Sequence, residues 1–234
     1  IIHPGYCKTA TTTLQNNLIE KHSQILSLGR PWTDDTRNFV REIKKHEGLD
    51  FNIERAKFAN KLGTDIFKIH SSDIGNFSLI KYLATTNKPI ILSCSGCKIN
   101  EIDDAIKIIK TFGISQIILM HGFQGFPTNI SDINLSRILT LQKRYDLPVG
   151  YSDHVDGGSD YATYLPLVAL GMNAFIIEKH ITINRDLKEE DYESAINPNE
   201  FKKFVKIFKK LSKGIGNSSL ELFGSEIEYR KRMK

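Results

Sequence analysis

Short apolar segments alternate with amphipathic segments from residue 65 onward. The apolar segments are rich in isoleucine and show no polar alternation, which predicts strands that are buried on both faces. Five such strands are predicted, at residues 65–70, 89–94, 116–121, 148–152 and 174–180. The segments between them carry apolar residues at helical spacing, as in Ile102, Ala105, Ile106 and Ile109, and predict helices.

The predicted strands begin about 24 to 32 residues apart, which is the length of one strand–helix unit. Successive units of this kind place their strands in parallel, and both an open doubly wound sheet and a closed barrel fit the repeat. Polar residues at the ends of all five strands favour an α/β fold of the TIM-type (β/α) barrel, whose strand ends share one mouth. A full barrel has eight units, so we expect this barrel to be incomplete or atypically completed by the N-terminal segment.

The composition changes near residue 50, and we divide the chain into residues 1–50 and a barrel portion of residues 51–234. In the first part, Lys8 and three threonines follow a predicted strand and open a predicted helix, an arrangement suited to binding phosphate. The glycine spacing is not that of a Walker A loop.

Composition and charge narrow the class of protein. The chain has 234 residues, 40% of them hydrophobic, and a net charge of +5. The basic residues near the C-terminus lack interleaved aromatic residues, so a solvated helix face is expected rather than a nucleic-acid site. No apolar run is long enough to span a membrane, and we expect no membrane partner. Three cysteines and no secretory signal predict a cytoplasmic protein in a reducing compartment.

Cys94 and Cys97 have the spacing of a redox motif, but such a motif works within a thioredoxin-like fold. The strand–helix repeat argues for a different fold, so we interpret this spacing as coincidence.

Two histidines follow the last two predicted strands. His154 ends the segment Gly-Tyr-Ser-Asp-His and His180 ends the segment Glu-Lys-His, so two imidazoles, a carboxylate and a lysine are expected to share one rim. Neutral imidazole is a common ligand for a divalent metal, although both rings could instead form only hydrogen bonds in the rim. Glu178 lies two residues before His180 and is expected to point the same way.

Lys68 lies in the first predicted strand, at the level of several serines. A lysine at this position suits an anion or a Schiff base. The alternative is an ion pair with Asp73 or Glu178. Hydroxyl groups beside a lysine suit a phosphate, and the candidates are Ser71, Ser72, Ser93, Ser95 and Ser152.

Residues of about 55–234 resemble the sialic acid synthase (N-acetylneuraminate synthase-like) family. The matching stretches are Phe-Lys-Ile-His-Ser at 67–71, Pro-Ile-Ile-Leu-Ser at 89–93, Gly-Tyr-Ser-Asp-His at 150–154, Glu-Lys-His at 178–180 and Asn-Pro-Asn-Glu-Phe at 197–201. The resemblance implies a transferase of carbohydrate biosynthesis on a barrel, which condenses phosphoenolpyruvate with an N-acetylated amino sugar and uses Mn²⁺ or Mg²⁺.

The same resemblance implies roles for individual residues. It makes His154 and His180 the metal ligands and gives catalytic roles to Lys68, Glu178 and Asp191. Substrates would be bound by Lys68, Ser71, Ser93, Ser152 and Asp191, together with Gln124 and Phe126, which stand where the family usually has asparagine and tyrosine.

Two departures leave alternatives open. The family's N-terminal glutamate and its second phosphate-binding lysine are not found in residues 1–54, so a degenerate barrel that only binds a phosphorylated sugar, a metal or a partner is the first alternative. Residues of about 1–33 resemble the start of a sulfotransferase that uses a phosphosulfate nucleotide, and a sulfotransferase fragment is the second. A partial barrel exposes two strand edges, so we also expect a homo-oligomer.

Overall fold

The computed structural model describes residues 49–61, 63–114, 116–189, 191–216 and 218–234. In these residues it has five strands: β1 Phe67–Ile69, β2 Ile90–Ser93, β3 Ile117–Gly122, β4 Val149–Asp153 and β5 Ile177–Lys179. It also has seven α-helices: α1 Leu49–Lys61, α2 Phe77–Thr85, α3 Ile99–Thr111, α4 Arg137–Tyr145, α5 Tyr161–Gly171, α6 Pro198–Ile215 and α7 Ser225–Met233. The strand suggested for residues 1–5 and the phosphate loop lie outside the described residues.

The five strands form one sheet in sequential order, and every neighbouring pair is parallel. Helices α2 to α5 each connect one strand to the next, as the repeat in the sequence predicts. The parallel α/β class and the five strands are therefore confirmed.

The sheet is curled rather than flat. Its edge strands β1 and β5 are four strand spacings apart, which would be about 19 Å in a flat sheet. The Nζ atom of Lys68 on β1 nevertheless lies 2.5 Å from Oε1 of Glu178 on β5. The described residues thus form a five-stranded half-barrel, and a complete barrel is not formed by them.

The strand register separates the residues into two faces. One face packs under the helices and supplies most of the apolar core. Its strand residues are Phe67, Ile69, Ile90, Leu92, Ile117, Leu119, Val149 and Tyr151. The other face lies on the concave side and carries Lys68, Ile91, Ser93, Met120, Ser152 and Glu178. The apolar face holds the fold together, and the concave face is left for chemistry.

Local signals fix where the helices begin. The side chain of Asn76 accepts a hydrogen bond from the Leu79 amide at 3.2 Å and caps α2. Asn197 and Glu200 form a capping box at the start of α6, where Pro198 takes the first helical position. None of the helices in the described part of the chain combines the length and apolar character needed to cross a bilayer.

Candidate active site

The concave face of the sheet holds a nearly buried ion pair. Lys68 Nζ donates to both carboxylate oxygens of Glu178, at 2.5 and 2.6 Å. Ser152 Oγ donates to Oε1 of the same carboxylate at 2.9 Å. The Lys68 side chain is 4% exposed and that of Glu178 is 28% exposed. The structure confirms Glu178 as an ion-pair partner of Lys68.

Two imidazoles lie next to each other just beyond the ends of β4 and β5. The ring centroids of His154 and His180 are 5.0 Å apart. The ring of Phe126 meets both of them edge-on, with centroid distances of 4.9 Å to His154 and 5.4 Å to His180. The two histidines predicted to share a rim therefore do so, under an aromatic side chain from the loop after β3.

Burial disfavours the charged form of both imidazoles. Burial, followed by the charge of His180, lowers the pKa of His154 to about 3. Burial also lowers the pKa of His180, although Asp191 and Glu178 act in the opposite direction. A metal ligand must be neutral imidazole, so this environment suits metal binding.

The two histidines are a candidate donor set for a divalent ion. Nδ1 of His154 is buried without a hydrogen-bond partner, which leaves one nitrogen lone pair or proton unsatisfied. Two neutral rings about 5 Å apart can both reach one ion at about 2 Å from each nitrogen. Among the described residues no group of three or more His, Cys, Asp or Glu side chains could hold a metal. The described residues therefore offer an ion two adjacent imidazoles and no recognised group of three protein ligands.

Asp191 stands beside the histidines. Its Oδ2 lies 3.6 Å from Nδ1 of His180, and its backbone adopts a left-handed conformation with φ of 60°. The carboxylate is 43% exposed, so it can reach a ligand above the two rings. The predicted site residues His154, His180, Glu178, Lys68, Ser152 and Asp191 are thus gathered at one end of the sheet.

The loops after β1 and β2 bring two further predicted residues together. The thiol of Cys97 lies 3.8 Å from the carbonyl oxygens of both Ser71 and Ser93. Ser93 is buried at the end of β2, and Ser71 opens a short 3₁₀ turn after β1. Gln124 is exposed on the loop after β3. The structure therefore places the backbone carbonyls of Ser71 and Ser93 against one thiol, and the role of Gln124 stays a prediction.

One expectation about the rim was wrong, because the lysine of the Glu-Lys-His segment does not accompany the imidazoles on the concave side. Asp153 and Lys179 belong to the two histidine segments, but they point to the helix side of the sheet, because Ser152 and Glu178 occupy the concave side. There the Lys179 ammonium contacts the Asp153 carboxylate at 2.5 Å, and both side chains are almost fully buried. The lysine that accompanies the imidazoles on the concave side is Lys68.

Residues 193–196 support both histidines and were not identified from the sequence. The Oγ atom of Ser194 donates to the backbone carbonyl of His154 at 2.6 Å, and the amide of Ile196 donates to the carbonyl of His180 at 3.1 Å. Ser194 is completely buried. No sequence signal marks this serine, because the contact joins residues 40 positions apart.

Comparisons with known proteins identify the family. The NeuB family model matches residues 48–219. The chain belongs to the NeuB family. Among NeuB relatives, the N,N'-diacetyllegionaminic acid synthase of Legionella pneumophila is 30% identical over 92% of this chain and 62% of its own length. That of Campylobacter jejuni is 31% identical over 75% of this chain and 52% of its own length. The sequence-based resemblance is confirmed at this level.

A solved NeuB-type structure supports the fold. The N-acetylneuraminic acid synthetase of Leptospira borgpetersenii, solved with citrate, has a TM-score of 0.66 and 33% identity, and covers 86% of this chain and 78% of its own. The chain spans about half the length of the curated relatives that it matches. The comparisons give no support to the sulfotransferase resemblance of residues 1–33.

Proposed function

We propose that this chain is a sialic acid-type synthase that condenses phosphoenolpyruvate with the open-chain aldehyde of an N-acetylated amino sugar. The observation that carries the proposal is the joint placement of the Lys68–Glu178–Ser152 cluster and the His154–His180 pair on one end of the sheet. Membership of the NeuB family, whose relatives include legionaminic, pseudaminic and N-acetylneuraminate 9-phosphate synthases, supports it.

In this proposal each substrate has its own group of side chains. The Lys68 ammonium and the hydroxyls of Ser71, Ser93 and Ser152 bind the phosphate and carboxylate of phosphoenolpyruvate by charge-assisted hydrogen bonds. Glu178 and Asp191 accept hydrogen bonds from sugar hydroxyls. Phe126 covers the two imidazoles and excludes water from that side.

The reaction joins the two substrates by one new carbon–carbon bond. The enol carbon of phosphoenolpyruvate attacks the aldehyde carbon of the sugar, water then adds at the enolpyruvate C2, and the phosphate leaves with its bridging oxygen. A Mn²⁺ or Mg²⁺ ion held by His154 and His180 would polarise the aldehyde as a Lewis acid. Lys68 holds the phosphate until it leaves, and its removal is expected to lower kcat/KM by at least about a hundredfold.

The test is release of inorganic phosphate from phosphoenolpyruvate in the presence of Mn²⁺ and N-acetylmannosamine. We expect turnover by the unaltered chain, and loss of it in Lys68→Met and His180→Ala. His121→Gln is the matched control, because His121 is a buried histidine on the helix side of the sheet. Absence of metal-dependent turnover with N-acetylmannosamine and with diacetamido sugars would contradict the proposal.

Binding without turnover is the second candidate function. The Glu178 carboxylate already accepts hydrogen bonds from the Lys68 ammonium with both oxygens, so a substrate phosphate competes with a group of the chain itself. Titration with Mn²⁺ separates the two candidates: tight binding without phosphate release favours this second one. A homo-oligomer and a cytoplasmic location stay predictions, and gel filtration of the purified chain tests the first of them.

A further inference from the structure

The ion pair on the helix side of the sheet lies directly behind the two imidazoles. Asp153 and Lys179 face each other in the strand register, and each immediately precedes one of the two histidines in the chain. Their side chains are 0% and 2% exposed, and Lys179 Nζ lies 2.5 Å from Asp153 Oδ2. This pair is also the last one in the β4–β5 ladder.

The Asp153 carboxylate organises the backbone around His154. Its Oδ1 accepts a hydrogen bond from the buried hydroxyl of Tyr151 at 2.9 Å and lies 3.3 Å from the donating amide of Val155. Asp153 therefore binds residues on both sides of His154, while its second oxygen binds Lys179 on the neighbouring strand. The carboxylate connects the Tyr151 side chain before His154, the backbone after it and the end of β5.

This arrangement is not needed for stability alone. A buried ion pair stabilises a fold little more than apolar side chains of the same volume, because burying both charges carries a large desolvation penalty. A buried ion pair does require a strict geometry, since moving either partner leaves an uncompensated buried charge that destabilises the fold. Because β5 ends at Lys179, the pair controls the point from which His180 leaves the sheet.

We propose that the buried Tyr151–Asp153–Lys179 network is the positioning element that sets the spacing of the imidazoles of His154 and His180. The network acts through the backbone and contacts no substrate, so these three are positioning residues. The inference deepens the proposed function because it concerns the same two histidines, but the spacing itself is measured without metal or substrate.

The experiment measures the spacing directly in the 234-residue chain. With isotope-labelled histidine, a nuclear Overhauser cross-peak between the His154 and His180 rings is expected in the unaltered chain. Asp153→Asn combined with Lys179→Gln removes both charges with little change in volume, and we expect the cross-peak to be lost. Asp103→Asn combined with Arg144→Gln is the matched control. These two residues also form an ion pair, which is exposed, and the Asp103 carboxylate also accepts a hydrogen bond from a tyrosine hydroxyl, that of Tyr145. Here the cross-peak should persist.

Retention of the cross-peak in the first double variant, or its absence from the unaltered chain, overturns the proposal. Circular dichroism checks that the variant is folded. If the first double variant does not fold, Asp153→Leu combined with Lys179→Met is measured instead, because apolar replacements of buried ion pairs often preserve stability. Retention of the cross-peak in this variant likewise overturns the proposal. Mn²⁺ affinity is a separate readout, expected to fall about tenfold. If the unaltered chain binds no Mn²⁺ and the double variant still loses the cross-peak, the metal-dependent function is contradicted. The positioning role is then supported.

Discussion

Lys68 and Glu178 form an ion pair across the concave side of the sheet, although three strands lie between them. The contact is possible only because the sheet curls, which brings its two edge strands within the reach of two side chains. One interaction therefore reports both the curvature of the half-barrel and the assembly of the candidate site.

Removing the cation of this pair is expected to destabilise the fold. In Lys68→Met the Glu178 carboxylate keeps only part of its hydrogen bonding, and the free energy of unfolding should fall by about 1–3 kcal/mol. Urea unfolding measures the change. Lys57→Met is the control, because the Lys57–Glu54 pair is exposed, and its effect should stay within about 1 kcal/mol. Equal effects of the two substitutions would show that the concave pair contributes no more than a surface pair.

Gly157 is expected to tolerate no side chain. Its amide donates to the Glu193 carbonyl at 2.7 Å, and a Cβ atom would lie 1.9 Å from the Ala195 carbonyl oxygen. Gly157→Ala should therefore displace residues 193–196 and lower stability by about 1–3 kcal/mol. Gly171→Ala is the control, since its Cβ position has no atom within 4 Å other than those of its chain neighbours and its own helix backbone. Thermal unfolding compares them, and an unchanged midpoint for Gly157→Ala would show that residues 193–196 can move freely.

The two described cysteines are expected to be poor nucleophiles. Burial raises the pKa of Cys94 to about 12 and that of Cys97 to about 11. Since only the thiolate reacts, about one in a thousand Cys97 thiols is ionised at pH 8. Iodoacetamide should label both slowly in the folded chain and quickly in urea, as read by peptide mass spectrometry. Fast labelling at pH 8 without urea would mean that the pair is reactive after all.

His121 is expected to make the fold sensitive to acid. Its Nε2 atom lies 2.8 Å from the Ile133 carbonyl oxygen, and burial lowers its pKa. The unfolded chain takes up the proton near pH 6.5, before the folded chain does, so stability is lost as the pH falls below that value. The loss is at most about 1.4 kcal/mol per pH unit.

His121→Gln keeps a donor near the Nε2 position but does not titrate. Its urea midpoint should decline less than that of the unaltered chain between pH 7.5 and pH 5.5. Parallel declines in the two proteins would assign the acid sensitivity to other groups.

The sequence predicted the strands well, because five isoleucine-rich segments each end in polar residues and leave few alternatives. It also predicted which side chains meet on the concave face, since Lys68, Ser152 and Glu178 follow from strand periodicity once the strands are parallel. The curl that joins β1 to β5 could not be read from the sequence, because it depends on the twist between all five strands.

What could not be predicted depends on contacts between distant residues. Ser194 holds the His154 carbonyl from a loop with no recognisable pattern. Lys179 was expected to share the rim with the imidazoles but lies on the helix side, although the alternation that put Glu178 beside Lys68 also puts Lys179 on the opposite side. Gln124 was assigned only from the family resemblance, and the local loop leaves it exposed.

The division of the sheet into an apolar convex layer and a charged concave layer has a consequence for protein engineering. A library on the concave face would have to keep Ile91 and Met120 apolar, because both are fully buried, and could vary polar positions such as Ser152. New catalytic activity could then be selected at the polar concave positions, in a round separate from the selection for folding at the apolar positions.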